Sequence, residues 1–332
     1  MWQAEPNLKL GGGPNEAAAC GVGHLRVVAV ASSLSTPARR RTVFGVVAGL
    51  LGIFLYAGQF VVTRWSIERT LALWDVAALR FAVAGALMLP LLVRYGVRDA
   101  AGIGWRRAIV VGITVGAPYT LVLFAGLTLA PAAHGAVIIS GGTPIMSALL
   151  LSLWFGERLS AARIAGLATI LIGLLLVGWP TMLDSSHRYI WVGDLFLFGA
   201  AALWGTFTAL TQRWHVDPLR GAAVVWVLAL GYLPFYLAFA PMRLLTAPRG
   251  EVVFQATYQG IGVAILALFF YIYAARALGA TAASLFMPLI PVVAVLLGIP
   301  VLAEVPSPVQ FTGIFVVSVG MVLATLSSAL RG

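Results

Sequence analysis

Residues 140–157 read SGGTPIMSALLLSLWFGE, an apolar run long enough for a helix. It carries Gly141, Gly142 and Pro144 in its first half and ends on Glu157. In water, glycine and proline at such positions break a helix. In lipid, no solvent competes for the backbone hydrogen bonds and the helix persists. The glycines then let a neighbouring helix approach closely, and the proline bends the run. Whether this stretch lies in water or in lipid decides the fold.

The rest of the chain answers for lipid. Of its 332 residues, 61% are hydrophobic and only 10% are charged, with a mean hydropathy of +0.99. A soluble domain carries about 25% charged residues. From Phe44 onward, ten apolar runs near membrane-spanning length follow one another, at 44–63, 74–93, 107–128, 133–155, 161–179, 190–211, 221–240, 257–277, 282–302 and 308–329. Strands of a membrane barrel would be half as long and would alternate polar with apolar residues. The expected fold class is therefore an all-α integral membrane protein with ten transmembrane helices in one bundle. Residues 1–40, with GGGPNEAAACGVG at 11–23, read as a disordered cytoplasmic tail. The polar, acidic start lacks the basic region of a signal peptide.

The net charge of +10 does not point to nucleic acid. Twenty of the 21 basic residues are arginines, set in ones and twos at the ends of apolar runs, which is the pattern that orients a membrane protein. With the N-terminus inside, thirteen arginines fall in inside segments and five (Arg64, Arg69, Arg188, Arg243, Arg249) outside. Both termini are expected in the cytoplasm and the chain in the cytoplasmic membrane. Cys20 is the single cysteine and Lys9 the single lysine. There is thus no intrachain disulfide, no cysteine metal site and no phosphate-binding lysine loop, and no cofactor or metal is expected.

The opening stretch has a counterpart. From Pro144, Glu157 lies 13 residues on, Gly166 a further 9 and Gly173 a further 7; Pro291, Glu304, Gly313 and Gly320 repeat those intervals at an offset of 147. Upstream, TLAPAAHGAVIISGGTP (128–144) answers to ALGATAASLFMPLIP (277–291), and FGVVAGLLGIFLYAGQFVVTRW (44–65) to VGDLFLFGAAALWGTFTALTQRW (192–214) with one gap. Each half holds five helices. Five is odd, so the second copy enters the membrane from the opposite side, giving two inverted repeats at 41–180 and 181–332.

These paired blocks, together with APAAHGAVIISGGTP, WFGERLS and the LRF at 79–81, resemble the drug/metabolite transporter superfamily in its EamA-type ten-helix branch. The resemblance covers about 44–329. It implies a central cavity lined by helices 1, 3, 4, 6, 8 and 9, and export or exchange of small metabolites. The second half departs from the pattern with Pro300 and Ala303, and helix 7 lacks a partner for Arg80.

Polar groups in lipid are costly and usually face a cavity or another helix. Candidate cavity residues are Gln59 and Thr63 on helix 1, Arg80 on helix 2, and Tyr119 and Thr120 after Pro118 in helix 3. They also include His134 at the start of helix 4, Trp204, Thr208 and Gln212 on helix 6, and Tyr271 on helix 8, where Tyr273, about half a turn on, lies on another face. Arg80 reads either as an attractor for a cargo carboxylate or phosphate, or as a structural side chain bonded to helix ends. His134 reads either as a proton-coupling group or as a helix-end ligand of backbone. Gly141, Gly142, Pro144, Glu157, Pro291 and Glu304 read as structural or gating residues, the two glutamates as caps or latches. Asp75 and Asp194 near helix starts complement the helix dipole.

The sequence thus points to a secondary active transporter moving a small molecule by alternating access, in export or exchange. The cargo class is an amino acid, a derivative or a drug-like amphiphile. The expected partners are that small-molecule substrate and membrane lipid. The competing readings are a small-molecule channel or non-transporting membrane receptor, and, with no nucleophile or acid–base pair at suitable spacing, an intramembrane enzyme.

Overall fold

The computed structural model describes residues 36–183 and 189–329. Most of the 1–40 segment read as a tail therefore lies outside the described residues; helix is described from Thr36, and the candidate membrane span within it starts at Arg40. From Phe44 onward the described residues form one compact unit.

Among the described residues, ten helices are long and apolar enough to cross a membrane. They are α1 (Arg40–Arg69), α2 (Leu73–Tyr95), α3 (Trp105–Leu129), α4 (Ala132–Phe155), α5 (Ala161–Pro180), α6 (Ile190–Arg213), α7 (Pro218–Phe239), α8 (Arg249–Leu278), α9 (Ala280–Leu302) and α10 (Pro308–Ser327). All ten expected spans are present. The chief difference is α8, which begins eight residues before its apolar run. Long apolar side chains such as Leu153, Leu175, Leu195 and Phe315 remain outward-facing, as suits helices whose outer surface meets hydrocarbon.

Imperfections in the helices follow local chemistry. α4 runs unbroken through Pro144, as the lipid argument requires. α3 breaks at Gly116, two residues before Pro118, which has no N–H to continue the ladder. α7 breaks at Leu230–Gly231, and Pro234 removes the bond that the Leu230 carbonyl would accept. The middle of α8, Ala256–Leu266, is wound as a π-helix.

The repeated glycines make the seam on which the two halves meet. A Cβ on Gly173 would lie 2.7 Å from the Val317 nitrogen and 2.8 Å from the Gly313 carbonyl oxygen; one on Gly320 would lie 2.7 Å from the Ile170 nitrogen and 2.9 Å from the Gly166 oxygen. Gly166 meets Ala324 at similar range. Thus Gly173 faces Gly313 while Gly166 faces Gly320. The order is reversed between the helices, so α5 and α10 cross antiparallel with their backbones in contact, as inverted repeats require.

Gly141 and Gly142 serve the same purpose elsewhere on α4. A Cβ at 141 would meet Ile170 and Val317 at 3.0 Å, and one at 142 would meet the Ala201 methyl at 2.8 Å. One glycine therefore packs on the α5–α10 seam and the other on α6.

Candidate functional site

Two polar groupings stand out within the bundle, one deep between helices and one at the end where α9 turns into α10. Most of the residues singled out from sequence are buried: Gln59, Thr63, Arg80, Tyr119, Thr120 and His134 are each less than a tenth exposed.

Arg80, on α2, is the centre of the deep group. Its Nη1 donates to Gln59 Oε1 at 3.2 Å, and its guanidinium lies 5.1 Å from the Trp226 ring centroid. That ring comes from helix 7, whose apolar run holds no arginine to match Arg80 in the second repeat. Arg80 Nε has no hydrogen-bond partner, and among the described residues no carboxylate pairs with this cation. Tyr119 and Tyr56 lie within electrostatic reach of it, and Tyr271 within reach of Tyr56. Tyr119 stacks on Trp204 with centroids 4.9 Å apart. The Thr120 hydroxyl is buried without a partner. Gln59, Arg80, Tyr119, Trp204 and Tyr271 are thus drawn into one neighbourhood. Tyr273 is exposed, leaving Tyr271 as the inward tyrosine of that pair.

Other expectations separate from this group. The Thr208 hydroxyl donates to the Trp204 carbonyl of its own helix at 2.8 Å, and Gln212 is exposed at the end of α6. The stripe on α6 therefore does not mirror the one on α1, because a threonine within a helix can satisfy itself one turn back. Thr63 accepts from Gln259 Nε2 at 2.7 Å. It belongs to a polar seam between α1 and α8 that also joins Gln255 Nε2 to Ser66 Oγ at 2.7 Å and to the Val62 carbonyl at 2.9 Å. Gln255 and Gln259 are fully buried, each with an unpaired Oε1. Sequence reading passed over them, although two glutamines four apart on an apolar helix were a visible signal.

The second grouping holds the α9–α10 turn. Glu304 Oε1 pairs with Arg64 Nε, and its Oε2 accepts the backbone N–H of Ala132 at 2.8 Å, capping the start of α4. Arg64 also donates to the Leu127 and Ala130 carbonyls at 2.8 and 2.9 Å, closing the end of α3, and pairs with Glu68. One carboxylate and one guanidinium therefore tie together α1, α3, α4 and α9.

Beside this latch, His134 Nδ1 lies 2.8 Å from Asp194 Oδ1, and His134 Nε2 lies 2.9 Å from Gln310 Nε2. Asp194 is thus more than a complement to the helix dipole. Gln310 was not singled out, though Ser307-Pro-Val-Gln310 before an apolar run is a capping-box signature. The Ser307 N–H donates to Gln310 Oε1 at 2.8 Å, and the Gln310 N–H donates to Ser307 Oγ at 3.3 Å. His134, Glu304 and Gln310 share the wall of a cavity of about 140 Å³. Glu157, by contrast, is exposed at the opposite end.

A model of the EamA-like transporter family matches residues 43–179 and again 191–326. The chain belongs to the EamA-like transporter family. Its two matches are the two five-helix halves, and the members of this family are transporters. The uncharacterized transporter YyaM of Bacillus subtilis is 24% identical over 238 residues, covering 68% of this chain and 75% of that protein. A WAT1-related chloroplastic protein of Arabidopsis thaliana is 26% identical over 287 residues, covering 82% of this chain and 68% of that protein. A solved crystal structure, 21% identical, superposes with a TM-score of 0.57 over 87% of this chain and 99% of its own. At that identity the likeness speaks to the fold alone. This EamA-like transporter is a multi-pass membrane protein.

Proposed function

We propose that the protein is a secondary transporter that carries a small organic molecule across the cytoplasmic membrane by alternating access, in export or exchange, with both termini in the cytoplasm. The observation that carries this reading is the unequal state of two equivalent turns. Glu304 is locked between α1 and α4, while Glu157, its repeat counterpart, is exposed. A carrier built from inverted repeats must keep at least one end closed at any moment, so equivalent turns at its two ends differ in state when one end is open. The excess of arginine on one side supports the orientation.

The cargo seat in this reading is the deep group around Arg80. A guanidinium inside the membrane without a carboxylate partner favours a ligand bearing a carboxylate or similar oxyanion. Tyr119, Trp204 and Tyr271 offer aromatic faces to the rest of it. An amino acid or an acidic derivative fits that chemistry.

Counterflow tests the proposal. Purified protein in liposomes preloaded with unlabelled amino acids should accumulate labelled ones transiently and saturably. Arg80→Met should lower the initial rate by at least about tenfold while leaving thermal stability near wild type. Linear flux without stimulation from the far side would indicate a channel and overturn the carrier reading.

A further inference from the structure

The carrier reading leaves the driving force open, and the Glu304 end holds a group that it does not use. His134 is only 2% exposed, yet it borders the 140 Å³ cavity. Its neighbours fix the place of its proton. The Ser307 N–H donates to Gln310 Oε1, so the amide turns its Nε2 towards His134 Nε2. An amide nitrogen only donates, so His134 Nε2 accepts. The ring hydrogen therefore sits on Nδ1 and is donated to Asp194 Oδ1. A neutral imidazole thus joins α10 to α4 through Gln310 and α4 to α6 through Asp194.

Adding a proton breaks one of these links and strengthens the other. A hydronium ion in the cavity gives its proton to the Nε2 lone pair and leaves as water. Nε2 then becomes a donor facing another donor. Gln310 cannot answer by turning over, because that forfeits the Ser307 bond that helps start α10. The link to Asp194 meanwhile becomes an ion pair. The result holds α4 to α6 and releases α10.

We propose that His134 binds the coupling proton of this transporter, and that the bound proton frees α10 from α4 and opens the Glu304 end. The inference rests on the carrier reading above. The charged and titratable groups around His134 leave it as the proton acceptor. Asp194 on α6 is already its hydrogen-bond acceptor, and both oxygens of Glu304 are held, one by Arg64 of α1 and one by the Ala132 N–H. From α5 the cavity wall is Val177. The device exists once. Arg163 stands where Gln310 does in the other repeat, and Ala283 where His134 does, so the proton acts at one end only.

Two measurements on the full chain in liposomes test this. In a Cys20→Ser background, spin labels at the exposed positions Thr128 and Val305 report the opening of the Glu304 end. Lowering the pH from 8 to 5 should raise the open population by at least about fivefold. His134→Gln should remove that response. Gln310→Glu keeps its cap and can accept from an imidazolium but meets the neutral ring acceptor to acceptor, so it should reverse the response, closing the end in acid and raising the unfolding temperature there. A pH-independent distance in wild type, or an unchanged acid response in both variants, overturns the proposal. The second measurement is transport. His134→Gln should abolish the stimulation by a pH gradient that the wild type shows. Persistent gradient stimulation in His134→Gln overturns proton coupling alone. Failure of wild-type counterflow counts against the carrier reading, and the spin-label distances still decide the proton site.

Discussion

The α4–α5 and α9–α10 turns are the same device built twice, and they are found in different states. Both leave their helix through a left-handed residue, Gly156 at φ 69° and Ala303 at φ 56°. Both restart on a serine that accepts a backbone N–H three residues on, Ser160 from Arg163 at 3.1 Å and Ser307 from Gln310 at 3.3 Å. The carboxylates between them diverge. Glu304 is tied to Arg64 and to the start of α4, whereas among the described residues Glu157 has no ion-pair partner. Arg213, which the front-end repeat sets opposite Arg64, lies over the Phe155 ring at 5.7 Å. Local structure is therefore fixed by sequence at both ends, and the difference lies only in tertiary partners. On the carrier reading proposed above, these are the two arrangements that one repeated element can take.

The comparison holds only if the halves share one rigid axis, and the glycine seam is where to break it. Gly173→Ala and Gly320→Ala each drive a methyl group to within 2.7 Å of backbone on the facing helix. Backbone cannot yield as a side-chain tip can, so each should cost about 3 kcal/mol or more. Because the seam is symmetric, the two costs should be alike. Gly178→Ala, where a Cβ meets nothing within 4 Å, should change stability by less than about 0.5 kcal/mol. Thermal unfolding in detergent ranks the three variants. A mild effect at Gly320 beside a severe one at Gly173 would mean that the halves do not bear equally on the seam.

The latch comes next in size. Glu304→Gln removes a partly buried ion pair and the charged cap on α4, leaving Arg64 with Glu68 and carbonyl partners. Its expected cost to the closed end is about 2–3 kcal/mol, somewhat below that of a fully buried pair. The same change at Glu157 should cost under about 0.5 kcal/mol. Spin-label distances across each end check this directly. Equal effects at both ends would show that the asymmetry does not govern closure.

Much of this was legible in the sequence, for a physical reason. In lipid the backbone must satisfy itself, so apolar length alone locates the ten spans, and the spacing of Pro, Glu, Gly and Gly exposes the inverted repeat. What the spacing did not disclose is which glycine meets which, since antiparallel pairing of Gly173 with Gly313 depends on the crossing of α5 and α10. The site was legible only in part. Arg80, Gln59, Tyr119 and Tyr271 were visible as polar residues in apolar helices, and the fold places them near one another. Gln212 does not, because its place near the helix end leaves it exposed. Gln310, Gln255 and Gln259 were missed because an amide gains its meaning from partners distant in sequence.

The smallest expected effect makes the sharpest comparison. Ala303 holds a backbone conformation in which a Cβ crowds the following carbonyl, at a cost of roughly 1 kcal/mol. Gly156 holds the same conformation without that cost. Replacing Ala303 by Gly relieves the strain but gives the unfolded chain more freedom, which offsets roughly 0.5 kcal/mol. The net change in Ala303→Gly is a stabilisation of about 0.5 kcal/mol, or roughly 1–2 °C in Tm. Gly156→Ala should lose a similar amount. Glycine at 303 would also make the two turns alike in backbone while leaving their carboxylates unlike. If the Glu304 end then stays closed as in wild type, its state is set by Arg64 and the start of α4. If it opens, strain at Ala303 is part of what presses Glu304 into the latch.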